Sequence, residues 1–291
     1  MGTVIVKVGT KVLTNSRGWI SPSGIKRIVQ QVAENRRSAS SFIIVTSGAI
    51  ASGLSKLAIN ASPEDLSLTM KQVCAAIGQP SLMHLYNRYL SKCGIEVAQI
   101  LLTEEDLANK HRYRNFWRTL TALLKKGVIP IINENDAISV KELVPVNPRV
   151  PDSVRFGDND RLSAIIASRV GADLLVILTD VDGFMMPTPD GGLKLVNEMK
   201  RINKNTLSYA GGSSRLGLGG MLSKLQAARI ASRSGVTTVI ANGHRRDILT
   251  RIMRGERVGT LIKPAPGKSQ KKPERIVVDS LSHDASRRRG P

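Results

Sequence analysis

Residues 172–183, ADLLVILTDVDG, join an uninterrupted apolar run to a cluster of aspartates. The run has no polar alternation, which is typical of a strand buried on both faces of a sheet. Similar runs occur at TVIVKV (3–8), FIIVTS (42–47), IEVAQILLT (95–103), VIPIIN (128–133) and VTTVIA (236–241). Helix-like segments separate these runs, which predicts an α/β fold with a mainly parallel central sheet covered on both faces, a three-layer α/β/α sandwich.

The segments between the strands show helical periodicity. We expect helices over residues 22–37, one or two helices within 63–94, and further helices over 104–126, 158–170 and 218–234, with a short helix before GTLI (259–262). Residues 139–156 contain three prolines and predict a loop or hairpin, either a lid or a plain surface crossing.

Polar and glycine-rich clusters follow four of the predicted strands. They are GTKVLT (9–14), TSGAIASG (46–53), NENDAI (133–138) and TDVDG (179–183). Ligands of parallel sheets bind beyond the carboxyl ends of the strands. The sequence therefore predicts a binding site along that one edge.

Composition limits the classes of function. The net charge is +20, which favours anionic partners, but only 3% of residues are aromatic, so there is little to stack on nucleic-acid bases. We therefore expect no nucleic-acid partner and interpret the charge as a solvated surface or an attraction for anionic substrates. No run is long enough to span a membrane and no signal-peptide pattern opens the chain, so we expect a cytoplasmic protein. The cysteines, Cys74 and Cys93, lack metal-site spacing and predict buried free thiols.

Lys7 is the most informative charged residue of the predicted strands. Its ammonium lies in an otherwise apolar strand, and we expect it to meet an anion at the strand end rather than to point into solvent from an edge strand. Lysines near a glycine-rich loop suit phosphoryl transfer, which depends on positioning and positive charge. The acidic candidates are Asp136, Asp158, Asp160, Asp180 and Asp182, although each could instead cap a helix or a turn.

The glycine-rich stretch SSRLGLGGMLSK (213–224) precedes a predicted helix. It matches neither the Walker A pattern nor the dinucleotide fingerprint. Backbone N–H groups at a helix N-terminus can still bind phosphate, so the stretch predicts either a phosphate site or a helix start without a ligand. Ser47, between a strand and a helix, could likewise hold a carboxylate or a phosphate, and its surroundings do not match the nucleophile elbow of hydrolases.

Eight segments in order along residues 3–262 resemble the glutamate 5-kinases of the amino acid kinase family. They are VKVGTKVLT, VTSGAIASG, AAIGQ, QILLT, IPIINENDAI, FGDNDRLSA, LLVILTDVDGF and LGGMLSKLQAA. The resemblance implies phosphorylation of the γ-carboxylate of L-glutamate by ATP with Mg²⁺, the first step of proline biosynthesis, with proline as inhibitor. It also implies a homo-oligomer, a dimer or a tetramer, and a glutamyl phosphate reductase as a further partner.

The resemblance also assigns roles to residues. It implies that Lys7 and Lys224 contact the transferred phosphate, with the carboxylate of Asp160 between them as an organiser. Three residues would surround glutamate, namely Ser47, Asp136 and Asn159. The ATP site would comprise Lys7, Thr179, Asp180, Leu218, Gly219, Gly220, Met221, Leu222, Ser223 and Lys224. No residue is assigned as a direct metal ligand.

Three departures from the family pattern bear on these expectations. Leu218 stands where many relatives place a hydroxyl residue, Arg215 lies in a region that is usually small and neutral, and the segment 139–156 is longer than usual. We expect one amino acid kinase domain over 1–263 and a basic, largely disordered tail over 264–291, too short for the PUA domain of many bacterial relatives.

Other readings of the resemblance lead to different activities. The alternatives are a kinase of acetylglutamate or of a nucleoside monophosphate, a basic nucleic-acid-binding protein on a kinase fold, and the kinase half of a bifunctional enzyme. The INEND and GDND motifs disfavour the first, and the end of the chain at Pro291 argues against the last.

Overall fold

A single large sheet forms the centre of the protein in a computed structural model, which describes residues 2–138, 159–211 and 219–265. Eight strands of these ranges lie in one sheet, and neighbouring strands are mostly parallel. Across the sheet they are β3 (Val97–Leu102), β4 (Ile129–Glu134), β2 (Ser41–Thr46), β1 (Thr3–Val8), β5 (Leu174–Thr179), β9 (Thr237–Asn242), β10 (Thr260–Ile262) and β8 (Glu198–Met199). The predicted mainly parallel sheet is confirmed.

Two layers of helices cover the sheet. The helices are α1 (Thr10–Leu13), α2 (Pro22–Glu34), α3 (Ala49–Lys56), α4 (Leu68–Ser91), α5 (Glu104–Ala108), α6 (Lys110–Lys125), α7 (Asn159–Val170), α8 (Lys204–Gly211), α9 (Gly219–Arg233) and α10 (Ile248–Met253). One apolar core lies between the sheet and α2, α4 and α10, and the other lies between the sheet and α6, α7 and α9. The three-layer α/β/α architecture is therefore confirmed.

Alternation along β1 determines which core each residue enters, because successive side chains of a strand point to opposite faces. Val4, Val6 and Val8 belong to the core with α2 and α4, whereas Ile5 belongs to the core with α7 and α9. Lys7 has the same parity as Ile5. Its side chain therefore enters the layer that contains α7 and α9.

Several predicted helices have different bounds in the structure. Within the segment 63–94, a short 3₁₀ turn over Pro63–Asp65 precedes one long helix, α4, which continues through Pro80. The predicted helix 104–126 is divided in two, because Asn109 leaves helical geometry and its side chain caps α6 by accepting from the backbone N–H groups of His111 and Arg112. The predicted helix 22–37 ends at Glu34 and is followed by a short 3₁₀ turn.

Helices α3 and α4 cross at unusually close range. A Cβ atom on Gly78 would overlap the carbonyl oxygen of Ala49 and the amide nitrogen of Gly53, and a Cβ on Gly53 would overlap the carbonyl of Cys74. The two helices therefore pack backbone against backbone. This contact sets the position of the residue that follows Gly78 in α4.

Some sequence expectations are incomplete, wrong or beyond the described ranges. The hairpin of β6 (Met185–Pro187) and β7 (Leu193–Leu195) and the antiparallel pairing of β10 with β9 were not predicted. Cys74 is buried as expected, but Cys93 is an exposed free thiol, because it follows the end of α4 at the surface. The loop 139–156 and nearly all of the tail, residues 266–291, lie outside the described residues. No helix in the described part of the chain has the length and apolarity needed to cross a bilayer.

Candidate active site

The candidate site lies where the connections of the sheet change direction. The chain leaves β1 toward β2 on one side, whereas β5, on the other side of β1, leads on to β9. The two strands stay in contact beyond their paired residues, because Gly9 donates its N–H to the carbonyl of Leu178 at 3.0 Å. Crevices at such points are the usual ligand sites of parallel sheets.

Lys7 lies at this point and is almost fully buried. Its Nζ is 2.6 Å from Oδ1 of Asp160, the second residue of α7. An ammonium buried without a counter-ion would cost several kcal/mol, so the ion pair explains how an apolar strand tolerates this lysine. The predicted anion at the strand end is therefore supplied by the protein itself.

Asp160 joins two lysines from distant parts of the chain. Its Oδ2 lies 3.2 Å from Nζ of Lys224, and it also accepts a hydrogen bond of 3.0 Å from the hydroxyl of Ser223. Burial raises the pKa of Asp160, but the charges of Lys7 and Lys224 outweigh that effect and leave the pKa below its usual value. The carboxylate is thus ionised, and the group Lys7–Asp160–Lys224 carries a net positive charge.

Helix α9 holds the second lysine in place. The helix begins at Gly219, so Lys224 lies in its second turn, within the helix predicted over 218–234. The Nζ of Lys224 also donates to the carbonyl oxygen of Gly220 at 2.9 Å, and Met221 is buried against the core. Leu218 lies outside the described residues, whereas Gly219, Gly220, Leu222 and Ser223 form the helix start.

A second group of polar side chains lies beside β2 and β4. The Nδ2 of Asn159, the first residue of α7, donates to Oγ of Ser47 at 3.2 Å and to Oδ1 of Asn133 at 3.0 Å. Asn133 in turn donates to Oε1 of Gln79 at 2.9 Å. This polar chain, Ser47–Asn159–Asn133–Gln79, joins the ends of β2 and β4 to helices α7 and α4.

Gly48 allows the backbone to turn from the end of β2 into α3, directly after Ser47. Its φ of +101° lies in the left-handed region, which favours glycine because a side chain would be strained there. The residue directly precedes α3, so Ser47 is held between the strand end and the helix N-terminus.

Asp136 lies in a turn two residues beyond the end of β4. Burial raises the pKa of its carboxyl group to about 6. A carboxylate with such a pKa is ionised at neutral pH but carries an unfavourable desolvation, which a cationic ligand group would relieve.

Thr179 ends β5, the neighbour of β1 on the side opposite to β2, and Asp180 directly follows it. The hydroxyl of Thr179 donates to Oδ1 of Asp180 at 3.1 Å, and Nζ of Lys11 lies 3.1 Å from Oδ2. Burial raises the pKa of Asp180, but the hydrogen bond from Lys11 leads the effects that leave it below its usual value. Asp182, also a candidate, is bound by Arg245 at 2.6 Å and by Asn242 at 3.0 Å, so it ties two loops together.

The predicted residues therefore fall into groups along one sheet edge. The structure brings Lys7, Asp160 and Lys224 into direct contact and joins Ser47 to Asn159. Thr179 and Asp180 form a separate pair at the end of β5. Sequence reasoning missed Asn133 and Gln79, although both lie in motifs that carried the resemblance. Among the described residues no group of three His, Cys, Asp or Glu side chains could hold a metal ion.

The family is settled by comparison with known sequences. A sequence model of the amino acid kinase family matches residues 2–242, most of the chain. The chain belongs to the amino acid kinase family. Within it, the chain is 42% identical over 265 residues to a glutamate 5-kinase of Dehalococcoides mccartyi, covering 90% of this chain and 68% of that protein.

Two further comparisons extend this family assignment. The chain is 40% identical to a glutamate 5-kinase of Clostridium acetobutylicum, covering 90% of this chain and 94% of that protein. The structure resembles the carbamate kinase of Giardia lamblia bound to AMP-PNP, with a TM-score of 0.61 and 17% identity, over 90% of this chain and 98% of that one. The latter likeness confirms the fold of the family.

Proposed function

We propose that this chain phosphorylates the γ-carboxylate of L-glutamate with ATP to give L-glutamyl 5-phosphate, the first step of proline biosynthesis. The observation that carries the proposal is the buried Lys7–Asp160–Lys224 group at the topological switch point of an amino acid kinase. Its net positive charge lies where two anions would have to meet. The similarity to proteins named glutamate 5-kinase supports glutamate as the acceptor.

The chemistry requires no general base. The γ-carboxyl group of glutamate has an ordinary pKa of about 4.3, so it is an ionised nucleophile at neutral pH. One of its oxygens attacks the γ-phosphorus of ATP, the bond to the β-phosphate oxygen breaks, and ADP leaves with those electrons. The main barrier is the repulsion between the carboxylate and the polyphosphate, which fixed positive charge reduces.

Lys7 and Lys224 supply that charge in this proposal. Both ammonium groups bind oxygens of one carboxylate, so Asp160 holds them close together and fixes their direction before substrates arrive. Because their positions are set by a strand and a helix, little reorganisation is needed as charge develops on the transferred phosphoryl group.

The remaining residues would bind the two substrates. We assign Ser47, Asp136 and Asn159 to glutamate, with the carboxylate of Asp136 facing the α-ammonium group. Thr179, Asp180 and the helix start of residues 219–224 would bind ATP, whose phosphates would lie at the N-terminus of α9.

Mg²⁺ would enter as part of the nucleotide substrate. In phosphoryl-transfer sites this ion is commonly held by substrate phosphates, waters and only one or two carboxylates, which does not require a dedicated cage of protein ligands. When bound, it would neutralise charge on the β- and γ-phosphate oxygens.

The proposal extends to the cellular setting of the chain. We assign the activity to a kinase domain over residues 1–263 in the cytoplasm, inhibited by proline and assembled as a dimer or a tetramer. The product is a reactive acyl phosphate, so a glutamyl phosphate reductase would be the partner that consumes it.

A trapping assay tests the proposed function. The protein would be incubated with ATP, Mg²⁺, hydroxylamine and L-glutamate, and the hydroxamate of the acyl phosphate would be measured. Parallel reactions would contain aspartate, acetylglutamate or UMP, and release of ADP would be measured in all of them because phosphorylated UMP forms no hydroxamate. Hydroxamate from glutamate alone is expected, as is its loss in Lys224→Ala but not in Lys26→Ala, a variant of an exposed lysine in α2. Absence of product from glutamate would refute the proposal.

A further inference from the structure

The polar chain Ser47–Asn159–Asn133–Gln79 has one fixed point, the backbone N–H of Glu134. This group can only donate, and it donates to Oδ1 of Asn133 at 2.9 Å. The oxygen end of the Asn133 amide is therefore determined by the backbone. Its nitrogen end must face the other way, toward Gln79.

This polarity is passed to both neighbours of Asn133. Gln79 receives a hydrogen bond from Nδ2 of Asn133 and must present its oxygen to it. Asn159 faces the oxygen of Asn133 and must present its nitrogen, which also donates to Ser47. Rotation of any amide by 180° would place donor against donor or acceptor against acceptor, which is costly because Asn133 and Gln79 are buried.

The fixed orientation of these amides determines which hydrogen-bonding groups are left for a substrate at the Ser47–Asn159 end of the polar chain. Oδ1 of Asn159 is buried and has no hydrogen-bond partner within the described residues. The hydroxyl of Ser47 accepts from Asn159, so its own proton is left to donate. An acceptor beside a donor is the complement of the α-ammonium and α-carboxylate groups of an amino acid.

We propose that Gln79 is a positioning residue for glutamate, because its acceptor holds the nitrogen end of the Asn133 amide while the backbone N–H of Glu134 holds the oxygen end. Asn133 held at both ends keeps Asn159 and Ser47 directed toward the substrate. This inference rests on the proposed function and adds a residue from α4, in the opposite helix layer. Gln79 reaches Asn133 because Gly78 lets α4 lie against the backbone of α3.

Two substitutions at Gln79 separate positioning from direct contact with the substrate. Gln79→Glu keeps an oxygen for Asn133 but replaces the amide nitrogen by a carboxyl oxygen, at the cost of a buried ionisable group. The contact to Asn133 is retained, and any contact made by Nε2 is lost. Gln79→Met has similar length and no acceptor, which leaves a buried donor of Asn133 without a partner. Gln99→Met, at an exposed position of β3, is the matched control.

The experiment measures steady-state hydroxamate formation with glutamate and ATP varied separately. In Gln79→Met the KM for glutamate should rise about tenfold, as expected for an unsatisfied buried donor, while the KM for ATP stays within about twofold. Gln79→Glu should raise the KM for glutamate less than Gln79→Met does, and Gln99→Met should keep wild-type values. An unaffected Gln79→Met, or a Gln79→Glu as impaired as Gln79→Met, would overturn the inference.

A second readout does not depend on turnover. In protein labelled with ¹⁵N-asparagine, the side-chain amide signals of Asn159 and Asn133 should move in Gln79→Met, and the Asn159 signal should move less in Gln79→Glu. Unmoved signals in Gln79→Met would overturn the positioning role. A wild-type protein without hydroxamate product would instead refute the proposed function, so the two failures are distinguishable.

Discussion

Replacement of Asp160 by asparagine would test the central ion group directly. Asp160→Asn keeps the shape of the side chain but removes its negative charge, leaving the buried Lys7 and the partly buried Lys224 without their shared counter-ion. Like charges a few ångströms apart repel by roughly 3–4 kcal/mol at an effective dielectric constant of 20. Removing one partner of a buried ion pair costs about 3–5 kcal/mol in measured cases.

Asp160→Asn should lower the melting temperature of the free protein but increase the stabilisation that a bound nucleotide gives. The melting temperature should fall by roughly 10 °C, because 1 kcal/mol corresponds to about 2–4 °C in a domain of this size class. A non-hydrolysable ATP analogue should stabilise the variant more than it stabilises the wild type, since its phosphates become the anion that the lysines lack. Turnover should still fall by about 100-fold, because the lysines are no longer held in place.

Thermal unfolding followed by circular dichroism, with and without the analogue, measures both effects. The control is Asp190→Asn, the same change in an exposed turn, which should leave the melting temperature unaltered. An unchanged melting temperature, together with an analogue effect no larger than that of the wild type, would refute the role of Asp160 as the shared counter-ion.

Three other perturbations test separate parts of the structure. Because burial raises the pKa of Asp136 to about 6, kcat/KM for glutamate should decline below pH 6, and Asp136→Asn should remove that decline in a pH profile. The buried negative charge of ionised Asp136 should also make the wild type lose stability relative to Asp136→Asn as the pH rises through 6. Gly78→Ala should destabilise the protein by about 1–3 kcal/mol in urea unfolding because its Cβ meets the backbone of α3, unlike Ala76→Ser on the exposed side of the same helix. Tyr86→Phe removes a buried hydrogen bond of 2.9 Å to Thr46 and should cost about 1 kcal/mol in urea unfolding, with no change in the KM for ATP.

The architecture was predictable because burial on both faces leaves a clear pattern. Strands without polar alternation, such as LLVIL at 174–178, can only be covered on both sides, and the polar clusters after them mark one edge. The short hairpin of β6 and β7 was missed since three-residue strands carry almost no periodic signal. The break at Asn109 was missed because its side chain caps α6, a local contact that apolar periodicity does not reveal.

The candidate site was predictable where a residue conflicts with its surroundings. Lys7 is a charge within an apolar strand, so its sequence alone indicated an anion partner, although only the structure identifies Asp160. Gln79 gives no such conflict. A glutamine within a helix is ordinary at the surface, and only its contact with Asn133, 54 residues away, shows that it belongs to the site.

The central position of β1 also has a consequence for the order of folding. β1 is made first, and its partner on one side, β2, follows within 40 residues, but its partner on the other side, β5, begins only at Leu174. Contacts so distant in sequence form late and slowly. While the ribosome is still synthesising the middle of the chain, Lys7 has neither Asp160 nor Lys224 beside it, and β1 exposes an unpaired edge to other chains. The unpaired edge of β1 therefore stays open to other chains until β5 emerges and pairs with it.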